Sequence, residues 1–491
     1  MDLISFDNLL IGIQTAISLK GLCMISLGVI LGILVGAAPG MSPSMGVALL
    51  VPFSYGMNPA LAFIFFVAVY QAANYGGSIT AIAINAPGTP ASVVTAIDGY
   101  ELTKQGKPGK ALGAAVLSSA IGGTIGALLL IFLSGTIAEF GIQFGPAEYF
   151  WLAVFGLSTV IAFGKANYLT STIGILIGVL FTTIGLDPFT GEERLTFGII
   201  ELFDGISFIP AMIGLFALAE IFTQIENKDH QKNKLLKDFS GELPKFSEFK
   251  ETIATLIKSS FIGTFIGVIP GAGSTIASFI SYGEAKRASK NPDELGKGSL
   301  EGVVACEAAN SSSVGGALVP LLALGIPGSA TDAVLLGALS LHGLVAGPAL
   351  FSTNPDIVYG IFVSVLAANV FILAFGLLGN KIWLRVISTP KPLLFTFVIA
   401  MCILGSYTIK NSIFEAWVCL FFGVAGWILK KLSIPPAPIV LGLVLGAMIE
   451  INLRRSMLAG GVEILYSSNL AIILAVLSLI SFLFPFTRRF I

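Results

Sequence analysis

The chain has 491 residues, of which 55% are hydrophobic and 11% are charged, and its formal net charge is −1. Soluble domains carry about 25% charged residues, so this composition excludes an ordinary soluble domain and is typical of a protein that crosses a membrane several times. The nearly balanced charge gives no indication of nucleic-acid binding.

Residues 1–19 predict an amphipathic or interfacial helix rather than a signal peptide. Asp2 and Asp7 lie where a signal peptide has basic residues, and no small-residue cleavage site follows a short apolar core. Beyond residue 19 the chain contains many apolar runs long enough to cross a bilayer, which takes about 20 residues. We therefore expect an all-α polytopic membrane protein with roughly 10–12 transmembrane helices.

Similar motifs recur in the same order and divide the chain into two halves. "VGAAPGMSPSMG" around Pro39 resembles "IGVIPGAGSTIAS" around Pro270, and "SYGMNP" resembles the start of "SYGEAKRASKNP". "AANYGGSITAIAINAPGTPAS" likewise resembles "AANSSSVGGALVPLLALGIPGSAT". Such an ordered series indicates an internal repeat. We predict a first transmembrane repeat at 20–225, a polar cytoplasmic linker at 226–250, and a second transmembrane repeat with a C-terminal helix at 251–491.

Two segments interrupt apolar runs, "NAPGTPAS" at 85–92 and "GIPGSATDA" at 325–333. Proline removes a backbone donor and glycine loosens the chain, so both segments are predicted to break a helix. Non-helical backbone at membrane depth is tolerated only beside protein or a water-filled cavity. In inverted-repeat transporters, broken helices or re-entrant hairpins meet near the midplane, and half-helix N-termini face anionic substrates. The paired breaks therefore predict a site for a small carboxylate.

Polar residues cluster at both breaks and offer hydrogen-bond donors without fixed charge, which suit an anion that must later be released. The candidate substrate-binding residues are Asn74, Ser78, Asn85, Gly88 and Thr89 in the first half, and Asn310, Ser311, Ser312, Gly328, Ser329 and Thr331 in the second. The alternative interpretation is that these small residues allow close packing between helices.

Two acidic residues lie beside these clusters. Glu307 precedes "AANSSS", and Asp332 directly follows Thr331. Ionisable residues inside a membrane are rare and usually functional, so Asp332 and Glu307 are candidate ion-coupling residues. For Asp332 the alternative is a cap at the N-terminus of a half-helix.

Loop charges predict that the two repeats have inverted topology, because Lys and Arg mark cytoplasmic loops. In the first half the "SYGMNP" loop is uncharged, whereas "DGYELTKQGKPGK" at 98–110 holds three lysines. In the second half the order is reversed: "EAKRASK" at 284–290 is basic, and "LHGLVAGPALFSTNP" at 341–355 has no Lys or Arg. One feature departs from this charge rule. A single apolar run separates Arg454-Arg455 from Arg488-Arg489, so one of the two arginine pairs must lie on the non-cytoplasmic side.

Four cysteines are scattered through apolar segments without a CxxC pair, and His230 and His342 lie far apart. Single cysteines of this kind are typically buried, and no cluster has the spacing of a metal site. We expect no metal and no cofactor, apart from a coupling Na⁺ or H⁺ ion.

Four long segments carry a resemblance to a known family: "GAAPGMSPSMGVALLVPFSYGMNPA", "YGGSITAIAINAPGTPASVVTAIDGY", "GVIPGAGSTIASFISYGEAKRASK" and "LALGIPGSATDAVLLGAL". They closely resemble the large membrane subunit of the tripartite tricarboxylate transporter family, the TctA family. The resemblance implies a multi-pass permease of the inner (cytoplasmic) membrane, driven by a Na⁺ or H⁺ gradient. It also implies a small membrane subunit and a periplasmic solute-binding protein that delivers a di- or tricarboxylate.

The expected function is thus secondary active uptake of a small organic carboxylate, and not an enzyme activity. One alternative is a passive channel or a structural membrane subunit, although paired breaks favour alternating access. Another is an intramembrane serine hydrolase with Ser78 as nucleophile. That reaction needs a base, and His342 is the one histidine in a candidate membrane region.

Overall fold

The computed structural model describes residues 6–38, 40–163, 168–226, 243–387 and 391–487, and these ranges are almost entirely α-helical. Some of the sequence predictions fall on other parts of the chain. Pro39, His230, Arg488-Arg489 and most of the predicted linker, residues 227–242, lie outside the described residues.

The first half contains ten helices among the described residues, together with one short antiparallel strand pair. The helices are α1 (Phe6–Ala16), α2 (Leu19–Ala37), α3 (Pro43–Leu50), α4 (Pro59–Ile84), α5 (Ser92–Lys104), α6 (Pro108–Gly141), α7 (Pro146–Phe163), α8 (Tyr168–Thr182), α9 (Phe208–Ile213) and α10 (Ala219–Glu226). Strands β1 (Gly185–Leu186) and β2 (Glu193–Arg194) form a hairpin after α8. A π-helical turn at Gly214–Leu218 joins α9 to α10.

The second half continues the helical pattern. Its helices are α11 (Phe246–Glu251), α12 (Ile253–Val268), α13 (Gly273–Ala288), α14 (Leu300–Leu324), α15 (Ala330–Leu341), α16 (Pro348–Thr353), α17 (Pro355–Ile387), α18 (Lys391–Lys410), α19 (Ile413–Lys431), α20 (Pro436–Gly460) and α21 (Asn469–Thr487). Short 3₁₀ turns lie at Val51–Ser54, Ile200–Leu202, Pro292–Glu294 and Gly461–Tyr466.

Local sequence determines where α3 and α4 begin. Ser42 Oγ accepts a hydrogen bond from the Met45 N–H at 3.2 Å and caps α3. Asn58 Oδ1 accepts one from the Leu61 N–H at 3.3 Å and caps α4. In both helices proline follows the cap, where its missing N–H would have had no partner within the helix.

Many of the helices could cross a membrane. Eight in the described ranges are long and apolar enough to do so: Leu19–Ala37, Pro59–Ile84, Pro108–Gly141, Phe208–Glu226, Pro355–Gly379, Pro392–Lys410, Ile413–Lys431 and Pro436–Tyr466. Shorter apolar helices, among them α8, α12 and α15, accompany them. These helices confirm the all-α polytopic membrane fold, whereas the expected 10–12 crossings stay a prediction.

The two halves use their helices in the same way. Helix α2 packs against α4 in the first half, as α12 packs against α14 in the second. Across the halves, α4 packs against α17 and α14 packs against α6. Each break is therefore held at the end of a helix, α4 or α14, that lies deep in the protein.

Loops gather at opposite ends of α14. At its start, which we call the basic end, Gln105 Nε2 donates to the Lys297 carbonyl at 2.7 Å and joins the loops near Lys104–Lys110 and Lys286–Lys290. At the other end, the Gly347 N–H donates to the Leu322 carbonyl at 3.1 Å. There Ser54 Oγ lies 2.9 Å from His342 Nε2. Matched loops of the two halves thus lie at different ends of α14, and the inverted topology stays a prediction.

The second of these ends also holds the β1–β2 hairpin, so we call it the hairpin end. Leu186 of the hairpin and Leu344 of the loop after α15 line one cavity there. Arg454 Nη1 lies 2.7 Å from Asp187 Oδ2, which places the last turns of α20 at the same end. The charge of Arg454 is thus paired with Asp187 of the acidic hairpin.

Candidate functional site

Both predicted breaks are present and have similar backbone geometry. Helix α4 ends at Ile84 and is followed by Asn85 in a left-handed conformation with φ 55°, and α14 ends before Gly325 with φ 71°. Each segment then folds back along the helix that it ends. The Gly88 N–H donates to the Gly77 carbonyl at 3.2 Å, and Gly328 lies against Ala317.

A glycine in each break makes a close approach to a neighbouring helix. A Cβ on Gly88 would lie 1.9 Å from the Gly36 carbonyl oxygen of α2, which is too close for any side chain. A Cβ on Gly328 would lie 3.0 Å from the Gly267 carbonyl oxygen of α12. Because α2 and α12 hold matching places in the two halves, the breaks are packed in equivalent ways.

A cavity of about 280 Å³, which we call the central cavity, lies between the two breaks. It is lined by both break segments and by the first turns of α3, α13, α15 and α20. Most of its wall comes from Ser42–Ser44, Thr89–Pro90, Gly271–Ile276, Ser329–Thr331, Pro435, Ala437, Pro438 and Leu441. Tyr70, Asn74, Val160 and Ser171 complete it. None of these lining residues, all of them in the described ranges, carries a charge.

Several helix N-termini therefore face one uncharged cavity. Unpaired N–H groups and the helix dipole make such an end favourable for anions. Ser329 Oγ accepts from the Asp332 N–H at 3.3 Å and lies 3.0 Å from the Tyr70 hydroxyl. The arrangement provides hydroxyls and backbone N–H groups but no fixed positive charge.

Two hydroxyls of the cavity wall have no partner within the described part of the chain. They are Thr89 Oγ1 in the first break and Ser171 Oγ on α8, and both are buried. A buried hydroxyl without a partner costs free energy, of the order of 1–3 kcal/mol, unless water or a ligand satisfies it. These two hydroxyls are therefore the groups of the wall that would gain most from a hydrogen-bond partner.

The structure brings some predicted substrate-binding residues to the central cavity and takes others away. Asn74, Thr89, Ser329 and Thr331 line it. The remaining candidates, Ser78, Asn85, Gly88, Asn310, Ser311, Ser312 and Gly328, are not among its lining residues. Asn310 Nδ2 instead donates to the Asn74 carbonyl at 3.1 Å, where it ties α14 to α4.

Sequence reasoning missed several lining residues. Ser42 and Ser44, like Ser274 and Thr275, belong to the repeated motifs "APGMSPS" and "IPGAGST", so the repeat itself carried a signal for them. Ser171 lies within an ordinary apolar run and had no such signal. Its position became evident only from the packing of α8.

Ser78 belongs to a separate buried cluster around Glu307. Glu307 Oε1 accepts from Ser78 Oγ at 2.5 Å and from the Thr95 hydroxyl, and Oε2 accepts from Ser119 Oγ at 2.9 Å. All four residues are buried, and they come from α4, α5, α6 and α14. The carboxyl group of Glu307 is therefore held by neutral hydroxyls alone among the described residues.

Asp332 has a different environment. It is fully buried in the first turn of α15, and neither carboxylate oxygen has a hydrogen-bond partner within the described ranges. Ser329 holds the N-cap position of α15, and Asp332 lies three residues further on in the first turn, so both its coupling role and its capping role stay predictions. The positive end of the α15 dipole is the nearest favourable feature for a charge on this residue.

Two larger cavities flank the central one. The first-break cavity, about 430 Å³, shares Ser42, Ser44, Thr89, Pro90, Ala330 and Ala437 with the central cavity and is also lined by the ion pair Lys430–Glu220. The second-break cavity, about 680 Å³, opens at the hairpin end and reaches Gly325. It shares no lining residue with the central cavity among the described residues.

Neither a metal site nor the hydrolase arrangement is evident in the described ranges. Those ranges hold no group of three or more His, Cys, Asp or Glu side chains that could bind a metal. Ser78 donates to Glu307, whereas His342 contacts Ser54 at the hairpin end. The structure thus keeps the proposed nucleophile and the proposed base apart.

The fold and the site define a multi-pass α-helical membrane protein in which two broken helices enclose an uncharged polar cavity. The model of the tripartite tricarboxylate transporter TctA family matches residues 22–441, and the chain belongs to that family. It is therefore a membrane subunit of a tripartite transport system.

Two relatives from Agrobacterium vitis are similar to the chain. The "uncharacterized 52.8 kDa protein in TAR-I ttuC' 3'region" is 35% identical over 458 residues, which cover 93% of this chain and 91% of the relative. The "uncharacterized protein in TAR-II ttuC' 3'region" is 36% identical over 196 residues, 40% of this chain and 81% of the relative. No solved structure matches the chain significantly.

Proposed function

We propose that this subunit is the permease that imports a small organic di- or tricarboxylate, delivered by a periplasmic solute-binding protein and coupled to a Na⁺ or H⁺ gradient. The observation that carries the proposal is the uncharged central cavity, where two breaks and several helix N-termini converge. The unpartnered hydroxyls of Thr89 and Ser171 add donors for a carboxylate group.

The size and chemistry of the cavity suit such a substrate. Its volume of about 280 Å³ lies just below the range of drug-sized pockets, about 300–1,000 Å³, so a compact molecule is expected. Dipoles and hydroxyls bind a carboxylate without the tight ion pair that Arg or Lys would form. Weak, reversible binding is what a transporter needs.

Coupling requires a group whose charge changes when the ion binds. Asp332 adjoins Thr331 of the cavity wall and has an unpartnered carboxylate, so a bound cation or proton would neutralise an otherwise isolated buried charge. Glu307 is the second candidate, because hydroxyls surround its carboxyl group without a counter-charge. We propose both as ion-coupling residues.

The proposal also assigns partners and a location. The family is tripartite, so we infer a small membrane subunit and a periplasmic binding protein as partners. From the lysine-rich loops of the basic end we infer that this end faces the cytoplasm, and we propose that the hairpin end faces the periplasm across an inner membrane.

Reconstitution tests the function directly. The chain, the small subunit and a candidate binding protein are placed with liposomes and offered labelled di- and tricarboxylates, including citrate. We expect accumulation above the outside concentration only under an imposed Na⁺ or H⁺ gradient. Uptake that merely reaches equilibrium would indicate a channel, and the absence of uptake for every carboxylate would contradict the proposal.

A matched pair of variants tests the central cavity. Thr89→Val keeps the side-chain shape and removes only the unpartnered hydroxyl. We expect the carboxylate concentration for half-maximal uptake to rise about 10-fold or more, because a hydrogen bond to a charged group is lost. Thr136→Val makes the same change on an exposed face of α6 and should have no effect. If both variants had the same carboxylate concentration for half-maximal uptake, that result would contradict the proposal that the central cavity binds the substrate.

A further inference from the structure

The segment at 185–205, between α8 and α9, forms one rim of the second-break cavity, and we call it the rim segment. It is held rigidly at its base. Asp187 Oδ1 accepts from the N–H groups of Phe189 and Thr190 at 2.8 and 3.0 Å. These bonds and the Arg454 guanidinium hold the pKa of Asp187 well below its usual range, so its carboxylate stays charged.

A four-membered charge cluster fixes the rim segment to α20. Arg194 lies 3.3 Å from Asp187 and 2.5 Å from Glu450, and Arg454 lies 2.7 Å from Asp187 and 3.0 Å from Glu450. Each arginine thus contacts both carboxylates. The rim segment is thereby anchored to the helix whose first turns form part of the central-cavity wall.

Large apolar side chains project from this anchored base. Phe197 is 82% exposed and Ile200 is 74% exposed, and across the cavity mouth Val345 is 80% exposed. Leu195 and Phe197 both have a left-handed backbone with φ 52°, which is rare and strained for bulky residues. A rigid, strained segment that presents apolar groups to its surroundings is typical of a contact surface.

The charge of the rim segment argues against a lipid surface as its partner. Residues 185–205 contain five acidic residues, Asp187, Glu192, Glu193, Glu201 and Asp204, against one basic residue, Arg194. Glu192 and Glu201 form no ion pair with another described residue. Segments that lie on membranes instead combine apolar residues with Lys and Arg, which anionic headgroups attract.

The position of the rim segment indicates what it would contact. It lies along one side of a cavity of about 680 Å³ that reaches Gly325 of the second break and Leu336 and Ser340 of α15. This cavity lies at the hairpin end, away from the lysine-rich loops. A partner seated on the rim would release a small molecule directly into that cavity.

We propose that the rim segment, with Val345, is the docking surface for the soluble carboxylate-binding protein, which contacts it through a face of basic and apolar residues. This inference rests on the proposed function, since it needs a binding protein that delivers substrate. Phe197 and Ile200 supply the apolar contacts, and Glu192 and Glu201 supply the charges that orient the incoming protein.

The test uses the reconstituted system and the binding protein that supports uptake in it. Two double variants alter the surface: Phe197→Ser with Ile200→Ser, and Glu192→Lys with Glu201→Lys. We expect the binding-protein concentration for half-maximal uptake to rise at least 10-fold in each, with little change in the rate at saturation. In the charge variant the salt dependence of uptake should also weaken.

Matched controls lie at the opposite end of the molecule. Phe246 is 81% exposed and Leu243 is 54% exposed, so Leu243→Ser with Phe246→Ser removes a similar apolar pair. Asp293→Lys with Glu294→Lys reverses two exposed acidic residues near the basic end. Both controls should leave the half-maximal concentration unchanged. An unchanged value in the rim variants, or an equal rise in the controls, would overturn the docking surface.

A photo-crosslinking amino acid at position 197 gives a second measurement that does not depend on transport by a damaged variant. Crosslinks to the soluble binding protein are expected, and they should disappear when that protein is left out. Crosslinks only to lipid or to the small membrane subunit would overturn the proposal. Wild-type uptake that needs no binding protein would instead contradict the proposed function, and so the two failures are distinguishable.

Discussion

Glu307 shows at the scale of a single residue how a membrane protein accommodates an acid. Its carboxyl group accepts hydrogen bonds from Ser78, Thr95 and Ser119 and lies beside no basic side chain among the described residues. Hydroxyls lower the cost of burying a carboxyl group but do not remove its charge. A bound proton or cation would neutralise that charge, and for this reason we propose Glu307 as an ion-coupling residue.

Two substitutions at Glu307 separate coupling from stability. Glu307→Gln keeps the size and one acceptor, so the protein should fold while uptake loses its dependence on the driving gradient. Glu307→Leu leaves buried hydroxyls without their acceptor and should lower stability by about 1–3 kcal/mol per unsatisfied group. Thermal melting in detergent and gradient-driven uptake provide the two measurements. A Gln variant with wild-type gradient dependence would rule out the coupling role.

At the scale of elements, the breaks show what the sequence reveals and what it leaves open. The Pro and Gly residues of "NAPGTPAS" and "GIPGSATDA" predict that α4 and α14 end there, and both helices do. The sequence contains no sign that each segment folds back so that Gly88 and Gly328 touch α2 and α12. That contact depends on how distant helices pack, which local propensity does not determine.

The close contact between the first break and α2 is testable with one methyl group. Gly88→Ala would place a Cβ 1.9 Å from the Gly36 carbonyl oxygen, so the break or α2 must move. Overpacking of this kind costs about 1–3 kcal/mol, and we expect a lower melting temperature together with impaired uptake.

Gly283→Ala is the matched control for that change. Nothing lies within 4 Å of the added methyl, and Gly283 is in helix α13, where alanine is favoured over glycine. The control should melt at the wild-type temperature or slightly above it. If Gly88→Ala also melted at the wild-type temperature or above it, that result would contradict the close contact between the first break and α2.

At the scale of the whole molecule, the cavities have an asymmetric arrangement. The central cavity shares its wall with the first-break cavity and not with the second-break cavity. The candidate site is therefore contiguous with one of the two flanking cavities and not with the other. Loop contacts such as Ser54–His342 and Gln105–Lys297 place matched loops at different ends.

Cysteine labelling tests the inverted topology. Cys306, Cys402 and Cys419 are buried and Cys23 is exposed, so a Cys23→Ala background leaves little reactive thiol. In oriented vesicles, an impermeant maleimide should label Tyr55→Cys from the periplasmic side and Lys290→Cys only from the cytoplasmic side. Tyr55 and Lys290 are both exposed, so access does not limit the reaction. Labelling of both positions from one side would refute the inversion.

The amino-acid sequence by itself determined the membrane class, the two helix breaks and their recurrence, because these depend on composition, on backbone chemistry and on motif order. Four of its candidate residues, Asn74, Thr89, Ser329 and Thr331, line the central cavity, and their role in substrate binding stays a prediction.

Only the tertiary structure decided which of the other polar residues line the central cavity. In the most apolar stretch of α4, 94% of residues are buried, so hydrophobic periodicity shows no difference between its faces. Asn74 and Ser78 are one turn apart on this helix, yet one lines the cavity and the other binds Glu307. Glu307 comes from α14, and part of the cavity wall that Asn74 completes comes from α13, so both environments depend on distant parts of the chain.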